Sequence, residues 1–232
     1  MRLIIIPTYN EAQNIEALIY KILSIDQSAS VLVVDDNSPD GTAEIVKRIM
    51  KGDIRVSLLS RQKKQGLGKA YIHAFSEILK DVQISEIAMM DADFSHNPDY
   101  LPEMFNLLSN CDAVIGSRYV RGGGIEGWEL WRRILSYFGN VYCKTILRLP
   151  VYDLTSGFYC IKTEMLHKLE LSSFDASGYA FQIELKYLLY KKGARFKEFP
   201  IIFANRLGGE SKISSHIISE GVLAPWRMLF KK

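Results

Sequence analysis

The sequence predicts an α/β fold, a Rossmann-like and mostly parallel central sheet flanked by helices. Two observations carry that prediction. Short apolar, β-branched runs recur at residues 3–6, 31–34, 56–59, 87–90 and 113–115, with amphipathic helical patterns at 14–25 and 42–50 between them; this is the alternation of buried strands with crossover helices. Three of the runs lead into polar clusters: Pro7-Thr8-Tyr9-Asn10-Glu11, Asp35-Asp36-Asn37-Ser38 and Asp91-Ala92-Asp93. Ligands of open α/β sheets collect beyond the carboxyl ends of the strands, so these clusters are expected to converge on one site.

Taken in order, the run 3–6 is the first strand and 14–25 the first helix. The run 31–34 is the second strand, after which Asp40-Gly41 makes a turn and Thr42 caps the helix 42–50. The strand 56–59 leads to Gly66-Leu67-Gly68-Lys69, a tight loop before a helix whose amides and lysine suit a phosphate, although the Walker A spacing is absent. The strands 87–90 and 113–115 follow. From about residue 121 the texture changes: a hinge-like Gly122-Gly123-Gly124 loop, a helix over 128–149 rich in aromatic and basic residues, a strand over 158–161, a helix over 181–190 and a strand over 196–203. The tail 213–232 combines an apolar stripe, Trp226 and the terminal Lys231-Lys232. That pattern suits either a helix lying on a membrane surface or one packed on the core, kinked at Pro225 in both cases.

Bulk composition narrows the classes. A chain of 232 residues with 48% apolar content can bury one large core. The net charge of +3 comes from Lys and Arg interspersed with Asp and Glu, which gives no argument for nucleic acid. Cys111, Cys143 and Cys160 have no C-x-x-C spacing, which speaks against a disulfide framework or a zinc site and fits a reducing cytoplasm. No secretory signal is read at the N-terminus. The most apolar stretch of the tail, 221–230, is far shorter than the roughly 20 residues of a spanning helix, so membrane contact is expected to be peripheral.

Asp91 and Asp93 carry the strongest chemical signal. Two carboxylates at i and i+2 leaving a strand can reach one hard divalent cation that in turn holds a diphosphate; the other reading is an acidic turn or helix cap. Asp35 and Asp36 can accept hydrogen bonds from a base or ribose, or close an Asx-turn. His96 is read as a further ligand or, more often for a loop histidine, a supporting group.

The ordered set of Pro7-Thr8-Tyr9-Asn10-Glu11, Val34-Asp35-Asp36-Asn37-Ser38-Pro39-Asp40-Gly41-Thr42, Gly66-Leu67-Gly68, Asp91-Ala92-Asp93-Phe94-Ser95-His96 and Gly116-Ser117-Arg118-Tyr119 resembles the family 2 glycosyltransferases of GT-A fold. A downstream set resembles dolichol- and polyprenol-phosphate mannose synthases: Gly127-Trp128 with Arg132-Arg133, Asp153-Leu154-Thr155-Ser156-Gly157-Phe158, Gly178-Tyr179-Ala180-Phe181-Gln182-Ile183-Glu184, and Arg206 followed by Gly209-Glu210-Ser211-Lys212. The resemblance implies one GT-A domain over 1–212, with a nucleotide-sugar half at 1–120 and an acceptor half at 121–212, followed by the tail. It implies that Pro7, Tyr9, Glu11, Asp36, Gly68, Asp91, Ala92 and Lys212 contact GDP-mannose, and that Asp91 and Asp93 hold Mg²⁺ or Mn²⁺. Arg118, Arg132 and Ser156 would face a polyprenyl or dolichyl phosphate, and Asp93, Arg118, Arg132 and Arg206 would carry catalysis. Ser95 stands where some relatives have a metal-ligating glutamine, and Tyr137 where relatives often carry a basic residue.

The resemblance further implies single displacement with inversion on the cytoplasmic face of a membrane, with or without a membrane-anchoring subunit. Two other readings stay open. One is glucose transfer from UDP-glucose or transfer to a hydroxyl, for which Asp153 or Glu184 would be the base. The other is a silent nucleotide-sugar-binding subunit.

Overall fold

The computed structural model describes residues 1–175, 178–204 and 215–230. The chain runs β1 (Arg2–Thr8), α1 (Ile15–Ile25), β2 (Ala29–Asp35), α2 (Thr42–Met50), β3 (Val56–Ser60), α3 (Leu67–Ile78), β4 (Glu86–Met89), α4 (Leu101–Leu107) and β5 (Ala113–Ser117). It continues through β6 (Gly124–Ile125), α5 (Leu130–Leu147), β7 (Tyr159–Lys162), α6 (Thr163–Leu166), α7 (Gly178–Lys191), β8 (Phe196–Pro200), β9 (Ile202–Phe203) and α8 (Ser215–Phe230).

Seven strands form one sheet in the order β3-β2-β1-β4-β7-β5-β8. All neighbours are parallel except β7, which runs antiparallel to both β4 and β5. Both faces of the sheet are covered, so β1 is apolar at successive positions instead of alternating with polar ones. Leu3 and Ile5 pack with Tyr71 and Phe75 of α3 and Phe181 of α7. Ile4 and Ile6 pack on the opposite face with Leu18 and Ile22 of α1, Val46 of α2 and Phe105 of α4.

From β1 the chain winds outward through β2 to β3, then returns to place β4 on the other flank of β1. The switch point of the sheet is therefore the crevice beyond the carboxyl ends of β1 and β4. Thr8 is in register with Asp35, and the Met90 amide donates to Ile5 O, so the first, second and third polar clusters leave the sheet side by side.

Three local expectations change. The strand expected over 196–203 is two: Pro200 ends β8, the Ile201 amide turns to Ser117 O, and β9 pairs with β6 in a separate two-stranded sheet. The Gly122-Gly123-Gly124 segment is wound against the end of β5 instead of forming a hinge; a Cβ on Gly123 would lie 2.5 Å from Ser117 O, a separation only glycine permits. Asp40 Oδ1, not Thr42, accepts the first free amide of α2.

On α8, Ala224 and Met228 are buried in the core, while Val222, Leu223, Trp226, Leu229 and Phe230 face outward. Ile213, Lys231 and Lys232 lie outside the described residues. Among the described residues no helix is long and apolar enough to cross a membrane. Cys111, Cys143 and Cys160 are free and buried.

Candidate active site

The three polar clusters meet at the switch point, and each contains or is followed directly by one residue in the left-handed region: Asn10 at φ 62°, Asn37 at 60° and Phe94 at 60°. For asparagine this is a common turn conformation, but for phenylalanine it stores strain, which tends to collect at functional sites. On the β2 side, Asp35 is consumed locally. Its carboxylate accepts from Thr8 Oγ1 at 2.8 Å and from Ser38 Oγ at 2.6 Å and Ser38 N at 2.9 Å, closing the Asx-turn. Asp36 points the other way, accepting from Arg61 and from the Gln65 amide at 3.1 Å. Tyr9 lies under the Lys64 ammonium, 3.7 Å from the ring centre, and the Glu11 amide donates to Thr42 Oγ1. Pro7 is the penultimate residue of β1, and Gly68 is buried in the first turn of α3.

At the end of β4 the loop is built to aim carboxylates. The Asp91 amide donates to His96 Nδ1 at 3.0 Å, and the His96 ring stacks on Phe158 at 5.0 Å. That contact makes Nδ1 an acceptor and gives His96 a positioning role. Asp93 Oδ1 accepts from Ser95 Oγ at 2.5 Å and from Ser95 N at 3.1 Å, so Ser95 orients the second carboxylate. Ala92 between them is buried. Among the described residues, no group of three or more His, Cys, Asp and Glu side chains gathers in a metal-holding cluster.

A cleft opens beside Asp91, lined by Leu67, His96 and Gly157 together with Arg118, Trp128 and Arg132. Arg118 forks onto Asp153, with Nε and Nη2 each donating at 2.7 Å, and Nη2 also donates to Thr155 Oγ1 at 2.7 Å. Burial alone would raise the Asp153 carboxyl, yet the Arg118 charge and hydrogen bonds hold it below the usual carboxylate range. Asp153 is thus a fixed counter-charge and unsuited to act as a base. The Arg132 guanidinium carbon sits over Trp128, 3.9 Å from a ring centre, and Arg132 lines the cleft. Arg133 donates to Trp128 O and lines an outer groove with Tyr137 and Phe138, which adjoins the cleft at Arg118. Of the two adjacent arginines, then, Arg132 shares the cleft with Asp91.

Ser156 donates its hydroxyl to Gly116 O at 2.7 Å, so its part in the cleft wall is to hold the backbone. Glu184 is buried on α7 and accepts from the Asp175 amide. Arg206 and Lys212 lie outside the described residues.

The family model for Glycosyl transferase family 2 matches residues 3–170. The chain belongs to the family 2 glycosyltransferases. This glycosyltransferase is 37% identical over 224 residues to the undecaprenyl-phosphate mannosyltransferase of Micrococcus luteus, an alignment covering 95% of this chain and 90% of that protein. It is likewise 37% identical over 228 residues to the polyprenol monophosphomannose synthase of Mycolicibacterium smegmatis, covering 97% and 86%. Its fold is that of the GT-A enzymes: a glucosyl-3-phosphoglycerate synthase of Mycobacterium tuberculosis, solved with Mg²⁺ and UDP, superposes with a TM-score of 0.70 at 17% identity, covering 98% of this chain and 78% of that one. The same synthase solved with Mn²⁺, UDP and phosphoglyceric acid gives a TM-score of 0.69 at 17% identity, covering 98% and 77%.

Several residues that shape the glycosyltransferase cleft are not evident from the sequence. Arg61, the partner of Asp36, is one basic residue in an Arg61-Gln62-Lys63-Lys64 run that reads as solvated surface. Asn140 of α5 donates to Thr155 Oγ1 and accepts the Thr155 amide, tying the long helix to the 153–157 loop. Lys186 of α7 is wholly buried beneath that loop. Its ammonium donates to Leu154 O, Ser156 O and Gln182 O at 3.1, 2.7 and 3.3 Å, and burial lowers its pKa to about 7 against the pull of Asp153. Only its place in an apolar helix, one turn after Gln182, hints at it.

Proposed function

We propose that this glycosyltransferase moves mannose from GDP-mannose to a polyprenyl phosphate, with inversion at the anomeric carbon. The observation that carries the reading is the cleft that Asp91 shares with Arg118 and Arg132 at the switch point. It brings a carboxylate and two guanidinium groups into one cleft, which suits a reaction between two phosphate-bearing substrates. The two mannosyltransferases at 37% identity supply the sugar and the acceptor class.

Pro7, Tyr9, Glu11 and Asp36 form the nucleoside side, where Arg61 holds the Asp36 carboxylate in place. Asp91 and Asp93 offer carboxylate oxygens and no sulfur, a donor set that suits hard Mg²⁺ or Mn²⁺, ions commonly held by one or two carboxylates together with substrate phosphates. Such an ion, when bound, offsets the negative charge that grows on the departing diphosphate. Arg132 draws in the acceptor phosphate, for which a guanidinium is the natural partner, while Arg118, its fork engaged by Asp153, shapes the cleft wall beside it. The acceptor phosphate oxygen attacks the anomeric carbon as the bond to the diphosphate breaks, and the electron pair leaves with GDP. A phosphate monoester is ionised near neutral pH, so no side chain has to remove a proton. Catalysis then rests on positioning and fixed charge.

The acceptor is a membrane lipid. The outward faces of α5 and α8 carry Trp131, Phe138, Trp226 and Phe230, and the two helices are tied where Trp226 Nε1 donates to Tyr142 Oη at 2.8 Å. This face is read as the part that rests on the cytoplasmic side of the bilayer.

The test is transfer of radiolabelled mannose from GDP-mannose to undecaprenyl phosphate with Mg²⁺, with Mn²⁺ and with EDTA, beside Asp93→Ala. Organic-phase label, lost with EDTA and reduced about 10²- to 10³-fold in the variant, is expected. The product should be β-configured by NMR. Label from UDP-glucose and none from GDP-mannose would overturn the donor assignment.

A further inference from the structure

Gln182 of α7 is only 1% exposed, yet it reaches the cleft. Its Oε1 accepts the Tyr159 hydroxyl at 2.7 Å, which fixes the amide with its oxygen toward the sheet and its nitrogen toward the cleft. That Nε2 is buried and has no hydrogen-bond partner. Few buried donors in native proteins are left so, because desolvating an unpaired amide is costly.

What lies in front of the amide is equally specific. A Cβ placed on Gly157 would sit 3.4 Å from Gln182 Nε2, 3.5 Å from His96 Cε1 and 3.8 Å from Asp91 Oδ1. Glycine therefore leaves room for one small group between a neutral donor and a carboxylate acceptor. A hydroxyl uses both groups at once, accepting from the amide and donating to the carboxylate, which a phosphate oxygen with no proton to give cannot do. We infer that Gln182 and Gly157 form a subsite for one hydroxyl of the donor's hexose, so that Gln182 selects the sugar instead of merely packing α7. The inference rests on the reading that this cleft takes a nucleotide sugar.

The test compares GDP-mannose with its 2-, 3-, 4- and 6-deoxy analogues in the wild-type enzyme, in Gln182→Met, which keeps length and removes the donor, and in Gly157→Ala, which fills the space at ordinary contact distances. Wild type is expected to lose about 10- to 100-fold in kcat/KM on one deoxy donor. Gln182→Met should lose a similar factor on intact GDP-mannose, show no further loss on that one analogue, and keep the wild-type penalties on the other three. Calorimetric affinity for GDP, which has no hexose, should stay within about twofold of wild type in both variants. Equal losses by Gln182→Met on every donor, or a matching loss of GDP affinity, would overturn the inference while leaving the mannosyltransfer reading intact. If wild type uses UDP-glucose and not GDP-mannose, the donor reading fails, and the deoxyglucose series decides the Gln182 contact by the same criterion.

Discussion

Arg118 is the residue on which most of the cleft hangs. Its guanidinium neutralises Asp153, a carboxylate with no exposure at all, and the backbone amide of Arg118 donates to the same oxygen at 3.0 Å. Removing the cation strands a buried charge, so Arg118→Ala should lower stability by about 3–5 kcal/mol in urea denaturation. Arg118→Lys keeps the charge but not the fork, and is expected to retain part of that stability while losing about 10- to 100-fold in mannosyl transfer, since point charge does not replace planar pairing. Which residue types gather here was evident from the sequence; how they pair was not. Asp36 illustrates the difference. Its position after a strand marked it as functional, but its orientation depends on Arg61, and Arg61 is beside it only because the Arg61 amide follows β3 onto Asp35 O at 2.8 Å. Register of that kind is a tertiary fact with no local signature.

At the scale of elements, the first five strands were legible because each is a short, doubly covered apolar run. The pair β6 and β9 was not, since two residues carry no period. α4 was also hidden, because its Pro102 and the preceding 3₁₀ turn over Pro98–Tyr100 resemble loop punctuation. β5 and β8 pair at the edge of the sheet, and Asp112 fastens their entry: it accepts from Arg195 N at 2.9 Å and from Nε and Nη2 at 3.0 Å each, with the Lys162 ammonium 3.7 Å away. Those hydrogen bonds hold the Asp112 carboxyl down to about 2. A carboxyl lowered in the folded state adds stability that is complete above the unfolded value, near 3.8, and disappears as pH falls toward 2. Thermal melts between pH 5 and pH 2 should therefore show a shallower acid loss in Asp112→Asn than in wild type, from a lower starting Tm. Parallel slopes would remove Asp112 from the acid response.

For the whole molecule, the exposed aromatic residues of α5 and α8 predict how the enzyme meets its acceptor. Trp131→Ser with Phe230→Ser removes two of the most exposed rings. Co-sedimentation with phosphatidylglycerol vesicles should weaken about tenfold. Transfer to a short-chain, water-soluble polyprenyl phosphate should be retained, and unchanged vesicle binding would place the membrane contact elsewhere. The general architecture, a sheet with its site at one end, could be read from periodicity alone. The lodging of β7 between β4 and β5 could not, because it joins residues far apart in sequence. That strand also constrains the order in which the molecule can assemble. During synthesis β4 and β5 are complete before Tyr159–Lys162 exists, so each waits with an open edge and neither can pair with the other in the native pattern. The first 120 residues are consequently an unfinished sheet rather than a unit that closes by itself, and the ribosome must deliver β7 before the nascent chain can shield its own backbone.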